Sequence, residues 1–230
     1  MIIGNGREIT MAGQVCMADT SGAFYLAGSR TLIVSDLHLE KGSSFARRGM
    51  LIPPYDTVAT LMHLKRVIEY FDPARVIALG DSFHDRDAAS RLSDQSHATL
   101  VDLQDKRSWV WVSGNHDPAP PFGLAGEVCD EMHIGPLVLR HEPQVGSCFG
   151  EVAGHLHPVA RVVTARGSLR RRCFVSDGTR CILPAFGAYA GGLNLRDDAF
   201  AALFPQTPPT AHVLGRDRIY SVAQDSCFAD

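Results

Sequence analysis

Short apolar runs, each closed by polar residues, mark the first two thirds of the chain. TLIVS at 31–35, VIAL at 76–79, WVWVS at 109–113 and LVLR at 137–140 are rich in β-branched and aromatic residues, and EVA at 151–153 is a weaker case. Runs of this length predict buried strands. Between them the period changes. Val58, Leu61, Leu64, Val67 and Ile68 share one helical face, so a helix is expected from Asp56 or Thr57, either able to cap it, to about Tyr70. Asp72-Pro73 stops it. A second helix is expected over 86–106, with Leu92, Leu100, Val101 and Leu103 inward. Residues 8–28 alternate around Thr20-Ser21-Gly22 and read as a hairpin; 41–55 and the Pro-rich 118–123 read as loops. Beyond position 150 short strands are expected at 159–164, 173–175, 181–183, 199–203 and 218–222, with the residues after Val222 frayed. Helices alternate with strands first and strands dominate later. That order predicts an α/β fold of two stacked β-sheets flanked by helices, as one domain over 1–230.

Composition narrows this little. The 230 residues are 45% apolar, enough for a core without staples. No apolar run approaches the roughly 18–20 residues of a membrane span. The start, MIIGNGREIT, has no basic segment followed by an apolar one, so no secretory signal is expected. Cys16, Cys129, Cys148, Cys173, Cys181 and Cys227 are scattered without a CxxC pair. Reduced thiols in a cytoplasmic protein are the expectation, and a cysteine-built zinc site is not. Net charge is −3, so contact with a polyanion requires a local basic patch. Only Lys41, Lys65 and Lys106 are lysines among the cations; codon usage accounts for most of that bias, though Arg also suits bidentate phosphate contacts.

The residues that close the apolar runs carry chemistry. They are Asp36-Leu37-His38, Gly80-Asp81, Gly114-Asn115-His116-Asp117, His141-Glu142 and Gly154-His155-Leu156-His157. Ligands bind at the carboxyl ends of strands in open α/β sheets. Asp36 and His38, two apart at a strand end, can face one ion. Asn115 is a suitable oxygen ligand, with His116 one residue beyond it and Asp117 close enough to orient that imidazole as a general acid. His155 and His157 share a face if they lie in a strand and can split between two ions if they lie in a loop. Taken singly, each of these is more often a turn or a surface pair; five in order are not.

The ordered set resembles the calcineurin-like metallophosphoesterase superfamily, whose pattern runs DxH, GD, GNH(D/E), H, GHxH across roughly residues 31–160. The resemblance implies an αββα sandwich with two divalent ions. One would take Asp36, His38 and His157, the other Asn115, His141 and His155, with Asp81 bridging. It further implies a hydroxide shared by the ions as nucleophile, with His116 contacting the phosphate and assisting the leaving group, and Asp117 tuning it.

His84 in GDSFH is similar to the repair nucleases of that superfamily, where phosphoprotein phosphatases carry an Arg clamp; it points to a diester. Arg86 stands near enough to be such a clamp. HLEKGSSFARRGMLIPPYDT, LGDSFHDRD and LPAFGAYAGGLN together resemble the DNA ligase-associated metallophosphoesterases (PdeM) over most of residues 30–195. That resemblance implies a Mn²⁺-dependent endonuclease acting on DNA beside a ligase or helicase repair system; Fe or Zn²⁺ would also suit the ligands, and the open cleft expected of a domain with no visible cap favours single-stranded or damaged DNA. Lys41, Arg47 and Arg48, in the segment after a ligand strand, are the expected DNA contacts, and Tyr189 can stack on a base. The rival readings are a hydrolase of small diesters or nucleotides, and a non-catalytic scaffold, which would have lost ligands. His63, His97, His133 and His212 read as structural, Arg170-Arg171-Arg172 as a solvated hairpin end, and Trp109 and Trp111 as core.

Overall fold

The computed structural model describes residues 3–117, 123–165 and 167–230. The expected 118–123 loop therefore lies outside the described residues except for Gly123. Among the described residues fifteen strands form two sheets. The first sheet runs in order β1 (Arg7–Met11), β2 (Gln14–Ala18), β3 (Phe24–Leu26), β4 (Thr31–Val34), β5 (Arg75–Leu79), β6 (Ser108–Val112) and β7 (Glu127–Cys129). β1 to β4 form an antiparallel meander, and β4 to β7 are parallel. The second sheet contains β8 (Glu131–Ile134), β9 (Leu137–Arg140), β10 (Glu151–Ala153), β12 (Gly167–Ser176), β13 (Arg180–Ile182), β14 (Thr210–Leu214) and β15 (Ile219–Ala223), with β11 (Val159–Thr164) paired to the outer part of β12. Within it β9, β10 and β13 are parallel.

Strand alternation sorts the residues into layers. Ile33, Ile77, Leu79, Val110 and Val112 of the first sheet meet Leu137, Leu139, Val152, Phe174 and Cys181 of the second in one core. Their neighbours Leu32, Val34, Val76, Ala78, Trp109 and Trp111 face outward onto α2 (Asp56–Phe71) and α3 (Asp94–Gln104). On the far side, Val175, Ile182 and Val213 pack on Phe200 and Leu203 of α4 (Asp198–Leu203). The layers are helix, sheet, sheet, helix, as the pattern predicts.

Several local expectations are corrected. Residues 41–47 are not loop but helix α1 (Lys41–Arg47), held by the Gly42 N–H donating to Asp56 Oδ2 at 3.1 Å. Asp56 and Thr57 therefore do not cap α2, whose N-cap is Tyr55 without a side-chain bond; Thr57 instead meets Glu40. Val58 and Val101 point to solvent. The second helix is shorter than expected, α3 beginning after its cap Ser93, whose hydroxyl accepts from Ser96 N–H. The expected hairpin is a three-stranded meander whose first turn, Ala12-Gly13, has both φ angles positive at 48° and 81°, the geometry a two-residue hairpin needs. Residues 199–203 are helical, because Asp197 caps α4 by accepting from Ala199 N–H at 3.0 Å. The tail is tied down: Phe228 N–H donates to Arg161 O and its carbonyl accepts from Asn194 Nδ2.

Candidate metal centre

The parallel strands β4, β5, β6, β9 and β10 end on one edge of the stacked sheets, and the polar residues that close them converge there. Asp36, His38 and His157 bring one ligand atom each to within 4.8 Å of one another, as do Asp81, His141 and His155. Asp81 Oδ2 stands between the groups, 3.9 Å from His38 Nε2 and 3.4 Å from His141 Nε2. Asn115 Oδ1 is 3.1 Å from His141 Nε2, so its amide joins the second group. His155 and His157 follow β10 in a loop and do split, one to each group.

This convergence requires unusual backbone. Asp36, His38, Asp81, His155 and His157 all have φ between 43° and 67°, the left-handed region that non-glycine residues avoid. Such strain concentrates at functional sites and persists only where packing over-determines it. The glycines before the ligands allow close approach. A Cβ on Gly80 would lie 2.2 Å from His141 Nδ1, and one on Gly154 would lie 1.9 Å from Ser35 Oγ.

The buried carboxylates lack a permanent cation. Asp36 Oδ2 accepts from the Ser35 hydroxyl and from His155 N–H at 3.1 Å, while Oδ1 is buried without an aligned hydrogen bond among the described residues and lies 3.0 Å from His157 Nε2. Burial would raise the Asp36 carboxyl, but His157, His141 and Ser35 hold it below the usual range. Asp81 behaves alike: burial opposes ionisation, yet His141, His116 and His38 pull it down to about 2. His38 is driven by burial to about 3, so it is a neutral ligand. Burial would lower His141 too, but Asp81 and Asp36 hold it up at about 9: the carboxylates draw a proton where a cation belongs. His141 Nδ1 donates to Leu79 O at 3.2 Å, which leaves Nε2 free to ligate. Two carboxylates, an amide and four imidazoles, one carboxylate oxygen being orphaned, fit a pair of divalent ions.

The chemistry-bearing residues surround this cleft. His116 N–H donates to Asp81 Oδ1 at 2.9 Å, and its Nδ1 donates to the His84 carbonyl at 2.8 Å. Its ring stacks on His84, interplanar angle 19°, and His84 Nδ1 is 3.5 Å from His38 Nδ1. Burial, then Lys41, push His84 down to about 4. Asp117 does not orient His116, contrary to expectation. Its Oδ2 accepts from Phe83 N–H at 2.9 Å and its Oδ1 has no hydrogen-bond partner among the described residues, so it braces the 81–83 turn; burial, reinforced by Asp81, raises it to about 7. The His84 carbonyl takes the orienting role, an assignment invisible in sequence because it belongs to the main chain.

Of the expected substrate residues, Lys41 Nζ donates to Tyr189 O at 3.0 Å, joining α1 to the 187–192 loop, and Tyr189 is partly exposed. Arg47, Arg48 and Arg86 line one hollow with Ser44, Asp85 and Asp87. Ser35 and Arg91 also serve the site, though no sequence motif marks them. Arg91 holds Asp85 through both terminal nitrogens, at 3.0 and 2.7 Å, and its Nε donates to Ser43 Oγ. His63 stacks on Phe186, His133 meets Glu131 and His212 meets Ser221, all away from the cleft. Arg172 donates to the Ala185 and Phe186 carbonyls and Arg170 pairs with Asp230, both structural.

Residues 29–179 match the family model described as calcineurin-like phosphoesterase. A nuclease MPE from Pseudomonas putida has a similar structure: TM-score 0.73 and 30% identity, covering 95% of this chain and 100% of that one. YfcE, a phosphoesterase from E. coli, aligns at TM-score 0.40 and 13% identity over 86% of this chain and 96% of its own. No curated protein matches significantly. No described helix is long and apolar enough to cross a membrane.

Proposed function

The chain belongs to the calcineurin-like phosphoesterase family, and on that premise we propose that it is a binuclear-metal phosphodiesterase cutting single-stranded or damaged DNA. The observation that carries this reading is the pair of ligand groups sharing Asp81. Asp36, His38 and His157 would hold one ion, Asn115, His141 and His155 the other, with Asp81 between them and Mn²⁺ as the metal. Bound ions supply Lewis acidity and lower the pKa of water. The remaining steps belong to side chains. His116, its Nδ1 fixed on the His84 carbonyl, turns Nε2 towards the cleft. Since Nδ1 already carries a proton, Nε2 donates one to the leaving oxygen only as imidazolium. The His84 imidazole contacts a non-bridging phosphoryl oxygen.

A diester is favoured because His84, not an arginine, lies against the ligands, and Arg86 lines the neighbouring hollow. The nuclease neighbour supports a nucleic-acid substrate. The complete ligand set speaks against a scaffold. A cytoplasmic role in DNA repair beside a ligase or helicase, and the reading of 1–230 as one domain, rest on the sequence. The test is hydrolysis of bis(p-nitrophenyl) phosphate against p-nitrophenyl phosphate in Mn²⁺. We expect the diester to be cleaved at least tenfold faster; preference for the monoester overturns the reading.

A further inference from the structure

The hollow beside His84 has a volume of about 420 Å³ and is lined by Ser44, Arg47, Arg48, Asp85, Arg86 and Asp87. Its charges are unevenly compensated. Asp85 is held bidentately by Arg91, from outside the lining, so its carboxylate is already neutralised. Arg47 reaches Asp87 at 3.4 Å, an exposed pair of the kind that contributes little. Among the described residues Arg48 and Arg86 have no carboxylate partner. The hollow therefore presents two guanidinium groups free to bind an anion. It also adjoins the metal cleft. Arg86 is two residues past His84, at most about 7 Å of backbone, and His84 Nδ1 is 3.5 Å from a metal-ligand imidazole. Arg48 is close enough to act electrostatically on the His84 ring.

We propose that this hollow is a second phosphate subsite, in which Arg48 and Arg86 take a backbone phosphate flanking the scissile one on a single nucleic-acid strand. The planar guanidinium matches phosphate bidentately. A small diester has no second phosphate to place there, so the subsite separates oligonucleotides from small diesters. This deepens the nuclease reading and rests on it.

The test uses the full chain in Mn²⁺ with a fluorescent single-stranded oligonucleotide. Binding is measured by anisotropy in a His116→Ala background and cleavage in the wild type. Replacing Arg48 and Arg86 together by Ala should weaken binding at least tenfold. It should also reduce the slope of log affinity against log salt by about 0.7, the value for one lost phosphate contact on a single strand. The loss of kcat/KM on the oligonucleotide should exceed that on bis(p-nitrophenyl) phosphate by at least tenfold. Restoring charge with Arg48→Lys and Arg86→Lys should recover most of the slope, which a folding defect would not. Equal losses on both substrates, or an unchanged slope, overturn the subsite. Arginine-dependent binding without cleavage by the wild type upholds the subsite and refutes the nuclease reading. Absence of oligonucleotide binding refutes the subsite, while cleavage of the small diester would still stand.

Discussion

Glu151 and Asp36 are both fully buried carboxylates near strands of the stacked sheets, yet their surroundings differ in kind. Glu151 Oε2 lies 2.6 Å from Arg180 Nε, close in charge though poorly aligned for a hydrogen bond, and Oε1 accepts from Gln144 N–H at 3.0 Å with Arg140 Nε at 3.7 Å. Arg180 in turn donates to the carbonyls of Leu203 and Gln144. The chain supplies its own permanent cations there. Around Asp36 and Asp81 it supplies imidazoles, whose charge depends on a proton. A buried carboxylate without a matched cation is costly. The first cluster is complete as folded and holds structure. The second is complete only with cations from outside, which is why it can do chemistry.

The strongest challenge to this contrast is Asp81→Asn. It should abolish stoichiometric metal binding and lower diesterase activity by three orders of magnitude or more, read by elemental analysis and kcat. It should also remove the stabilisation by Mn²⁺, which for the wild type at a hundredfold excess over Kd is about 2.7 kcal/mol and raises Tm by several degrees. Retained metal with lost activity would mean that Asp81 is not the shared ligand.

His116→Ala asks whether the centre separates binding from catalysis. Activity should fall about 10²- to 10⁴-fold with metal content unchanged. The loss should be larger for an alkyl leaving group than for p-nitrophenolate, which needs little protonation; equal losses would remove the acid role.

Arg180→Met tests the other cluster. It leaves Glu151 buried without its main cation and should destabilise the fold by about 3–5 kcal/mol in urea unfolding. Activity per folded molecule and Mn²⁺ stabilisation should persist. A combined Glu151→Leu, Arg180→Met variant should recover part of the loss, and its failure to do so would show that the pair is more than charge compensation.

His212 gives the smallest effect. It is buried, its Nδ1 2.9 Å from Ser221 Oγ, and burial, helped by Arg7, lowers it to about 4. Unfolded, it titrates near 6.5. As pH falls between these values the unfolded chain takes up a proton that the folded chain does not, so stability declines through that window and levels off below about 4. His212→Gln should remove about 3 kcal/mol of that decline, seen as the difference from wild type in metal-free protein. Parallel curves would mean that His212 is charged in the fold.

The parts that were legible in the sequence are those fixed by local pattern. TLIVS, VIAL, WVWVS and LVLR had to be strands, and alternation within them already separates Trp109 and Trp111 from Val110 and Val112. The polar residues that close those runs had to fall at strand ends, so the ligand types follow from residue identity and position in the pattern alone. The short elements were not legible: KGSSFAR and DAFAAL have too little length to declare themselves, and each is settled by one bond, from Gly42 to Asp56 and from Ala199 to Asp197.

What the sequence by itself determined is which residues can ligate and on which strands they stand, because periodicity and residue chemistry are local properties. Only the tertiary structure decided how they are used. It sent His155 and His157 to different groups, gave the hold on His116 to the His84 carbonyl instead of Asp117, and left Arg48 and Arg86 without a carboxylate partner among the described residues while Arg91 took Asp85. Those outcomes depend on left-handed backbone at the ligands and on contacts between residues far apart in the chain. Distances of that kind are set when two sheets pack, and no local pattern encodes them.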